Sequence, residues 1–255
     1  MTDPAIADES FVRMLAAGAI FVAIATWELA VPRCALAVPR LRRWPANLGI
    51  VVVDTLVVRF ALPMVPVGVA TWTAEHGSGA FNAIAMRDWL RFAFAFALLD
   101  LAVYAQHCVF HAVPMFWRAH RVYHADLAFD VTTGLRFHAF EIVISTLWKV
   151  AVVAALGAPI AAVLAFEIIL KATAQFNHGN VAIPPAIDRL LRAAVITPDM
   201  HRVYHSVRTE EMNSNFGFNV PWRDRLFGTY RAQPAELHET MTIGLGAMLV
   251  QPFGP

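Results

Sequence analysis

Charge is scarce in this chain. Asp, Glu, Lys and Arg make up only 15% of its 255 residues, against about 25% in an average soluble domain. Lys and Arg number 20 and Asp and Glu 19, for a formal net charge of +1. That balance leaves no basic footprint for nucleic acid. Cysteine is almost absent: Cys34 and Cys108 offer neither a disulfide frame nor a cysteine metal motif. A flavin fingerprint, a four-cysteine iron–sulfur run and a haem-binding domain are all missing, so electrons for any redox chemistry must come from another protein. The opening residues, M-T-D-P-A-I-A-D-E-S, lack the basic start of a signal peptide. Membrane anchoring is therefore expected from the mature chain itself.

What the chain has instead is apolar length. Hydrophobic residues make up 58% of it, and the mean hydropathy is +0.54. About 20 apolar residues cross a bilayer core, and spans are expected over 11–31, 48–70 and 89–109. Residues 140–156 and 160–176 are each slightly short for a span. The Gly157-Ala158-Pro159 turn between them predicts a tight helical hairpin. Asp54 and Arg59 inside the second span are expected to face other helices, and an amphipathic piece over 186–195 is expected at the interface. Residues 112–139 and 178–255 would form a polar, His-rich cap on one membrane domain, 1–255. The expected fold class is thus an all-α integral membrane protein. Arginines cluster after the first span (Arg33, Arg40, Arg42, Arg43), after the third (Arg118, Arg121, Arg136) and after the hairpin. The positive-inside rule then puts the N-terminus outside and the histidine cluster at the cytoplasm.

The histidines are spaced for metal. His107 and His111, His120 and His124, and His201 and His205 are three pairs at four-residue spacing, which puts both imidazoles on one helix face. His107 lies about 27 Å along a helix from Trp89, so the first pair would emerge at the end of a span. His138 and His178 join these six as candidate metal ligands. His76 and His238 have no partner at helical spacing and read as ordinary interfacial residues. Imidazole suits iron, zinc and copper. Asp100, Asp126, Asp130 and Glu141 stand nearby, able to orient imidazoles or pair with Arg118 and Arg136.

The motifs resemble those of the fatty acid hydroxylase superfamily, in its sterol desaturase branch. His107-Cys108-Val109-Phe110-His111 resembles the first H-x-x-x-H box. Trp117-Arg118-Ala119-His120, Thr132-Thr133 and Arg136-Phe137-His138 flank the second. Phe176-Asn177-His178-Gly179-Asn180 resembles a further histidine after the hairpin. Asn215-Phe216-Gly217 and Asp224-Arg225-Leu226-Phe227-Gly228-Thr229-Tyr230 resemble the C-terminal signature. The resemblance covers roughly residues 90 to 231. It implies a membrane-embedded helical fold and a nonhaem di-iron centre that uses dioxygen to hydroxylate or desaturate a lipid. It also implies an external electron-transfer partner.

Two positions depart from the pattern. The H-x-x-H-H boxes read His120-Arg121-Val122-Tyr123-His124 and His201-Arg202-Val203-Tyr204-His205. A tyrosine stands for the penultimate histidine in each, and Tyr123 and Tyr204 are the candidate catalytic residues, expected to approach one metal position. Helical stacking suggests His111, His124, His178 and His205 as one site, with His107, His120 and His201 as a second. Three readings of the tyrosines stand open. They are phenolate ligands to iron, hydrogen-bonding partners of a three-His metal, or the mark of a second iron weakly held or absent. In the last case the chain is a lipid-binding or partner-binding membrane protein. Hydrolysis at a single metal is a third class of function.

Overall fold

The computed structural model describes residues 4–126, 128–236 and 238. Its order is α1 (Pro4–Ala30), α2 (Arg40–Ala61), α3 (Pro66–Glu75), α4 (Ala80–Ala83), α5 (Asp88–Ala112), α6 (Pro114–His124), a 3₁₀ turn (Thr133–Leu135), α7 (Ala139–Leu156), α8 (Ile160–Asn177), α9 (Pro185–Leu191), α10 (Pro198–Tyr204), α11 (Thr209–Met212) and α12 (Trp222–Phe227). No strand occurs among the described residues; Pro32 and Val181 form one isolated antiparallel bridge.

Among the described residues, five stretches are long and apolar enough to cross a membrane: Phe11–Ala30, Arg40–Ala83, Asp88–Ala112, Ala139–Leu156 and Ile160–Asn177. Their outer faces are apolar and uncovered, as at Phe11, Val52, Phe60 and Phe94. In water such faces would be buried; in lipid they meet a matrix as apolar as themselves. The inner faces pack α5 against α7 and α8, and α3 against the same hairpin. Leu99, Val153, Ala162, Val163 and Phe166 fill that core.

The second expected span, 48–70, is not continuous. α2 starts earlier, at Arg40, and stops at Ala61; α3 starts at Pro66. Leu62 is extended, with φ −119° and ψ 125°, the conformation a following proline imposes. Pro63 supplies that proline, and Pro66 opens the next helix where its missing N–H costs nothing. α3 also runs into the expected 71–88 loop, with the Thr71 and Thr73 hydroxyls donating back to the Val67 and Ala70 carbonyls. Of the two charges expected to face other helices, Asp54 is buried but Arg59 is exposed. The amphipathic piece is a shorter helix, α9.

A tight turn joins α7 and α8, each of which is long and apolar enough to cross a membrane although the sequence reading makes both slightly short. Gly157 ends α7 in the left-handed region, φ 60° and ψ 47°, which a side chain disfavours. Its N–H and that of Ala158 both donate to the Val153 carbonyl.

Candidate metal centre

α5 and α6 are joined through Val113 alone. Pro114 starts α6 and reverses the chain, laying α6 back on the end of α5. The two helical pairs then face one another. His107 and His120 have ring centroids 4.9 Å apart, and His111 and His124 are 5.2 Å apart. Ligand atoms of His107, His111 and His120 all lie within 4.8 Å of one another. A second group forms where α10 meets the end of α8: ligand atoms of His178, His201 and His205 satisfy the same limit. The groups adjoin, with the His124 and His205 rings 4.7 Å apart.

This grouping differs from the partition expected from helical stacking. Neighbours in sequence stay together, because the one-residue link lays α6 back on α5. The tyrosines do not share one position either; they cross. Tyr204, from α10, reaches into the α5–α6 group. Its Oη lies 2.5 Å from His107 Nε2, 2.8 Å from His111 Nε2, 2.6 Å from His120 Nε2 and 2.7 Å from His124 Nε2. Tyr123, from α6, points to the other group, its Oη 3.4 Å from His201 Nε2 and its ring 4.9 Å from that of His178. Both tyrosines are fully buried. His138 stands apart from both groups: it is the N-cap of α7, where its Nδ1 accepts from the Phe140 N–H at 3.1 Å.

Hydrogen bonds at Nδ1 set the tautomers of four of the seven imidazoles. His120 Nδ1 donates to the Glu141 carboxylate at 2.6 Å, and His107 Nδ1 to the Phe216 carbonyl at 2.6 Å. His178 Nδ1 donates to the Ala174 carbonyl at 2.6 Å, and His111 Nδ1 meets Asn213 Oδ1 at 3.1 Å. Each acceptor holds the ring proton on Nδ1 and leaves Nε2 a bare lone pair aimed inward. His107 Nε2 and His120 Nε2 are nevertheless 3.1 Å apart, so their lone pairs repel unless a positive charge joins them. The Tyr204 hydroxyl has one proton and satisfies one of its four neighbours. The donor set is short of cation, which is what a metal-binding site requires. Outer hydrogen bonds of this kind also orient ligands and raise their basicity.

Burial sets the protonation state. With neighbouring imidazoles, it holds His124, His201 and His205 well below the ordinary imidazole range. Burial also brings His178 down to about 4. The same desolvation pushes Tyr123 and Tyr204 well above the ordinary phenol range. These groups are uncharged at neutral pH until a cation favours the phenolate.

The surrounding loops serve these contacts. Asp224 accepts from the N–H groups of Phe216 and Gly217 at 2.7 and 3.0 Å, fixing the segment that offers the Phe216 carbonyl to His107. Asp100 is held by Arg223 at 3.1 Å and Asn219 at 3.0 Å. Asp126 and Asp130 are clamped mainly by Arg43, a residue that sequence reading placed only in a basic loop. Its Nε reaches Asp126 Oδ1 at 2.8 Å, its Nη1 reaches Asp130 Oδ2 at 2.7 Å, and its Nη2 also donates to the Ala128 carbonyl. Arg136 approaches Asp126 at 3.6 Å. Burial raises the Asp126 carboxyl, but the Arg43 bonds outweigh it and leave it below the usual range. The clamped loop stacks Phe129 on His178, centroids 5.1 Å apart. It also carries Gly134, where a Cβ would meet the Ala174 carbonyl at 2.6 Å and His178 Nδ1 at 2.9 Å. Asn213 and Glu141 could be found from their places beside the histidine boxes; the carbonyls of Ala174 and Phe216 carry no side-chain signal.

Residues 92–229, more than half of the chain, match the fatty acid hydroxylase family. The ornithine lipid hydroxylase OlsE of Rhizobium tropici is 29% identical over 166 residues, covering 61% of this chain. The chain spans about half the length of that relative, 48% of it. No solved structure matches the chain. Histidine groups fit for metal, apolar helices around them and the family match over the segment that holds most of them lead to one assignment: the chain belongs to the fatty acid hydroxylase family.

Proposed function

We propose that this integral membrane protein is a nonhaem iron oxidase that hydroxylates or desaturates a C–H bond of a bilayer lipid with dioxygen. The observation that carries the reading is the convergence of inward-facing Nε2 atoms whose Nδ1 partners are fixed. His107, His111, His120 and His124 would hold one iron, and His178, His201 and His205 the other. Bound iron supplies the activation of dioxygen. The chain's own residues hold the ligands and exclude water: six of these seven histidines are buried, and His111 is the partly open one. Tyr204 would complete the first group as a phenolate, an anionic oxygen donor that suits the ferric state. His138 keeps the role of helix cap beside this centre.

In hydroxylation one oxygen atom enters the C–H bond and the other leaves as water, so two electrons and two protons are needed. Those electrons come from a separate redox partner, docking on the cap near exposed arginines such as Arg189 and Arg225. In this reading the apolar helices form one membrane domain and the cap faces the cytoplasm, as the arginine clusters favour. The lipid hydroxylase relative supports hydroxylation over desaturation. The test is anaerobic purification, iron reconstitution and incubation with a reductant, a lipid extract and isotopically labelled dioxygen. Label in a lipid hydroxyl is expected; oxygen-independent products or no product would overturn the proposal.

A second reading has one observation behind it. Tyr204 Oη stands among the four Nε2 atoms at distances of 2.5 to 2.8 Å. If the phenol stays there as a hydrogen-bond donor, the first group holds no iron, and the chain is an altered family member that binds a lipid or a partner. Iron content separates the two readings.

A further inference from the structure

A cavity of about 420 Å³ lies where the linker between α1 and α2 folds over the end of α1. Its frame is tied down. The Arg33 N–H donates to the Asn180 carbonyl at 3.0 Å, and the Ala182 N–H to the Val31 carbonyl at 3.0 Å. Asn180 also exchanges side-chain hydrogen bonds with the backbone of Cys34, at 3.0 and 2.8 Å.

An acidic and a basic side chain line this cavity. Glu28 is fully buried. Its Oε1 accepts from the N–H groups of Val131 and Asn180 at 2.7 and 2.8 Å. Among the described residues, its Oε2 has no hydrogen-bond donor. Arg40 stands beside it, Nη2 to Oε2 at 3.5 Å, and its buried Nε and Nη2 also lack hydrogen-bond acceptors among the described residues. The pair attracts but is too far apart and misaligned for a hydrogen bond. Groups this deeply desolvated carry a cost unless hydrogen-bonded. The cavity is also lined by Leu29 and Leu41, 67% and 90% exposed on the apolar outside of the helices.

We infer that this cavity binds the headgroup of a zwitterionic lipid that carries N–H donors. The ammonium donates to Glu28 Oε2, an acidic oxygen accepts from Arg40 Nε and Nη2, and the acyl chains leave past Leu29 and Leu41. Charge order and the apolar exit favour such an amphiphile over a free anion, which would meet Glu28 unneutralised. Asn180 lies two residues along the chain from His178, and Glu28 bonds Val131 in the loop that carries Phe129. A headgroup here would thus be held against the backbone that supports the second histidine group. The inference rests on the lipid-oxidation reading for its purpose, but its test involves no turnover.

The test is calorimetric titration of the purified full chain in detergent with short-chain phosphatidylethanolamine, phosphatidylcholine and phosphatidylglycerol. Phosphatidylethanolamine is expected to bind about tenfold more tightly than the other two, the worth of one charge-assisted hydrogen bond. Glu28→Gln should remove that preference and leave Oε1 bonded to its two N–H groups. Arg40→Gln should weaken all three lipids, and Arg40→Lys should restore only part. Iron content and elution volume check that each variant is folded. Equal affinity for the three lipids, preference for phosphatidylglycerol, or an Arg40→Gln variant that binds like wild type would overturn the inference. None of these outcomes bears on whether iron and dioxygen react at the histidines.

Discussion

Tyr204 Oη lies 2.5 Å from His107 Nε2, although the two residues come from helices 97 positions apart in the chain. The phenol is thus placed to be either a ligand or a plug. As a ligand it gives the iron(III)-loaded protein a phenolate-to-iron absorption band in the visible. Tyr204→Phe should lose that band while Tyr123→Phe keeps it, because Tyr123 approaches its group only at 3.4 Å. Absorption spectra and iron counts on the two variants decide. A band unaffected by either change, with less than one iron in the first group, would favour the plug.

Glu141 should matter through His120 rather than through substrate. Its carboxylate accepts the Nδ1–H hydrogen bond of a buried imidazole at 2.6 Å. Removing such an outer partner typically costs about 10–100-fold in metal affinity. Glu141→Ala is expected to lose iron on that scale in a chelator competition. Glu141→Gln, which retains an acceptor, should lie between it and wild type.

Gly134→Ala is a test of packing against the second group. The added methyl has no room between the Ala174 carbonyl and His178 Nδ1, and both partners are fixed by their own hydrogen bond. Overpacking of this sort costs about 1–3 kcal/mol. A lower melting temperature and weaker iron retention are expected together. Unchanged values for both would mean that the loop yields.

Metal-free protein should lose stability in weak acid. Folded His178 takes its proton only at about 4 because it is buried, whereas the unfolded residue takes it at about 6.5. Between those values the unfolded chain binds more protons, so stability falls as pH drops through that window and levels off below it. This imidazole alone accounts for roughly 3 kcal/mol. Thermal melting of chelator-treated protein at neutral pH and in weak acid measures the effect. A melting temperature that does not fall on acidification would contradict it.

Much of the centre was legible because imidazole pairs at helical spacing have one geometric meaning. The pairs of α5 and α6 sit on helices, His201 lies in α10 with His205 capping its end, and Tyr123 and Tyr204 were visible as departures. How the pairs combine was not legible. That depends on a reversal at Val113, and on helix directions that spacing within a helix does not encode. His138 was read beside the ligands because it follows a motif, but its backbone is extended, with φ −78° and ψ 139°, and its Nδ1 serves the helix start. Arg43 was hidden for another reason. In sequence it is one arginine of a basic cluster, and its partners Asp126 and Asp130 lie more than eighty residues away. The break after α2, by contrast, could have been read from Pro63 and Pro66, which apolar length masked.

α5 runs without interruption from Asp88 to Ala112, so the helix that meets the lipid also carries His107 and His111. A bilayer thinner or thicker than its apolar length is met by tilting or sliding of such a helix. Here that movement would be delivered directly to two imidazoles, with α6 hinged to them through one residue. The hydrocarbon thickness of the surrounding membrane would then set the spacing of these two imidazoles, and detergent micelles and bilayers of different chain length should hold the same polypeptide with different iron affinities.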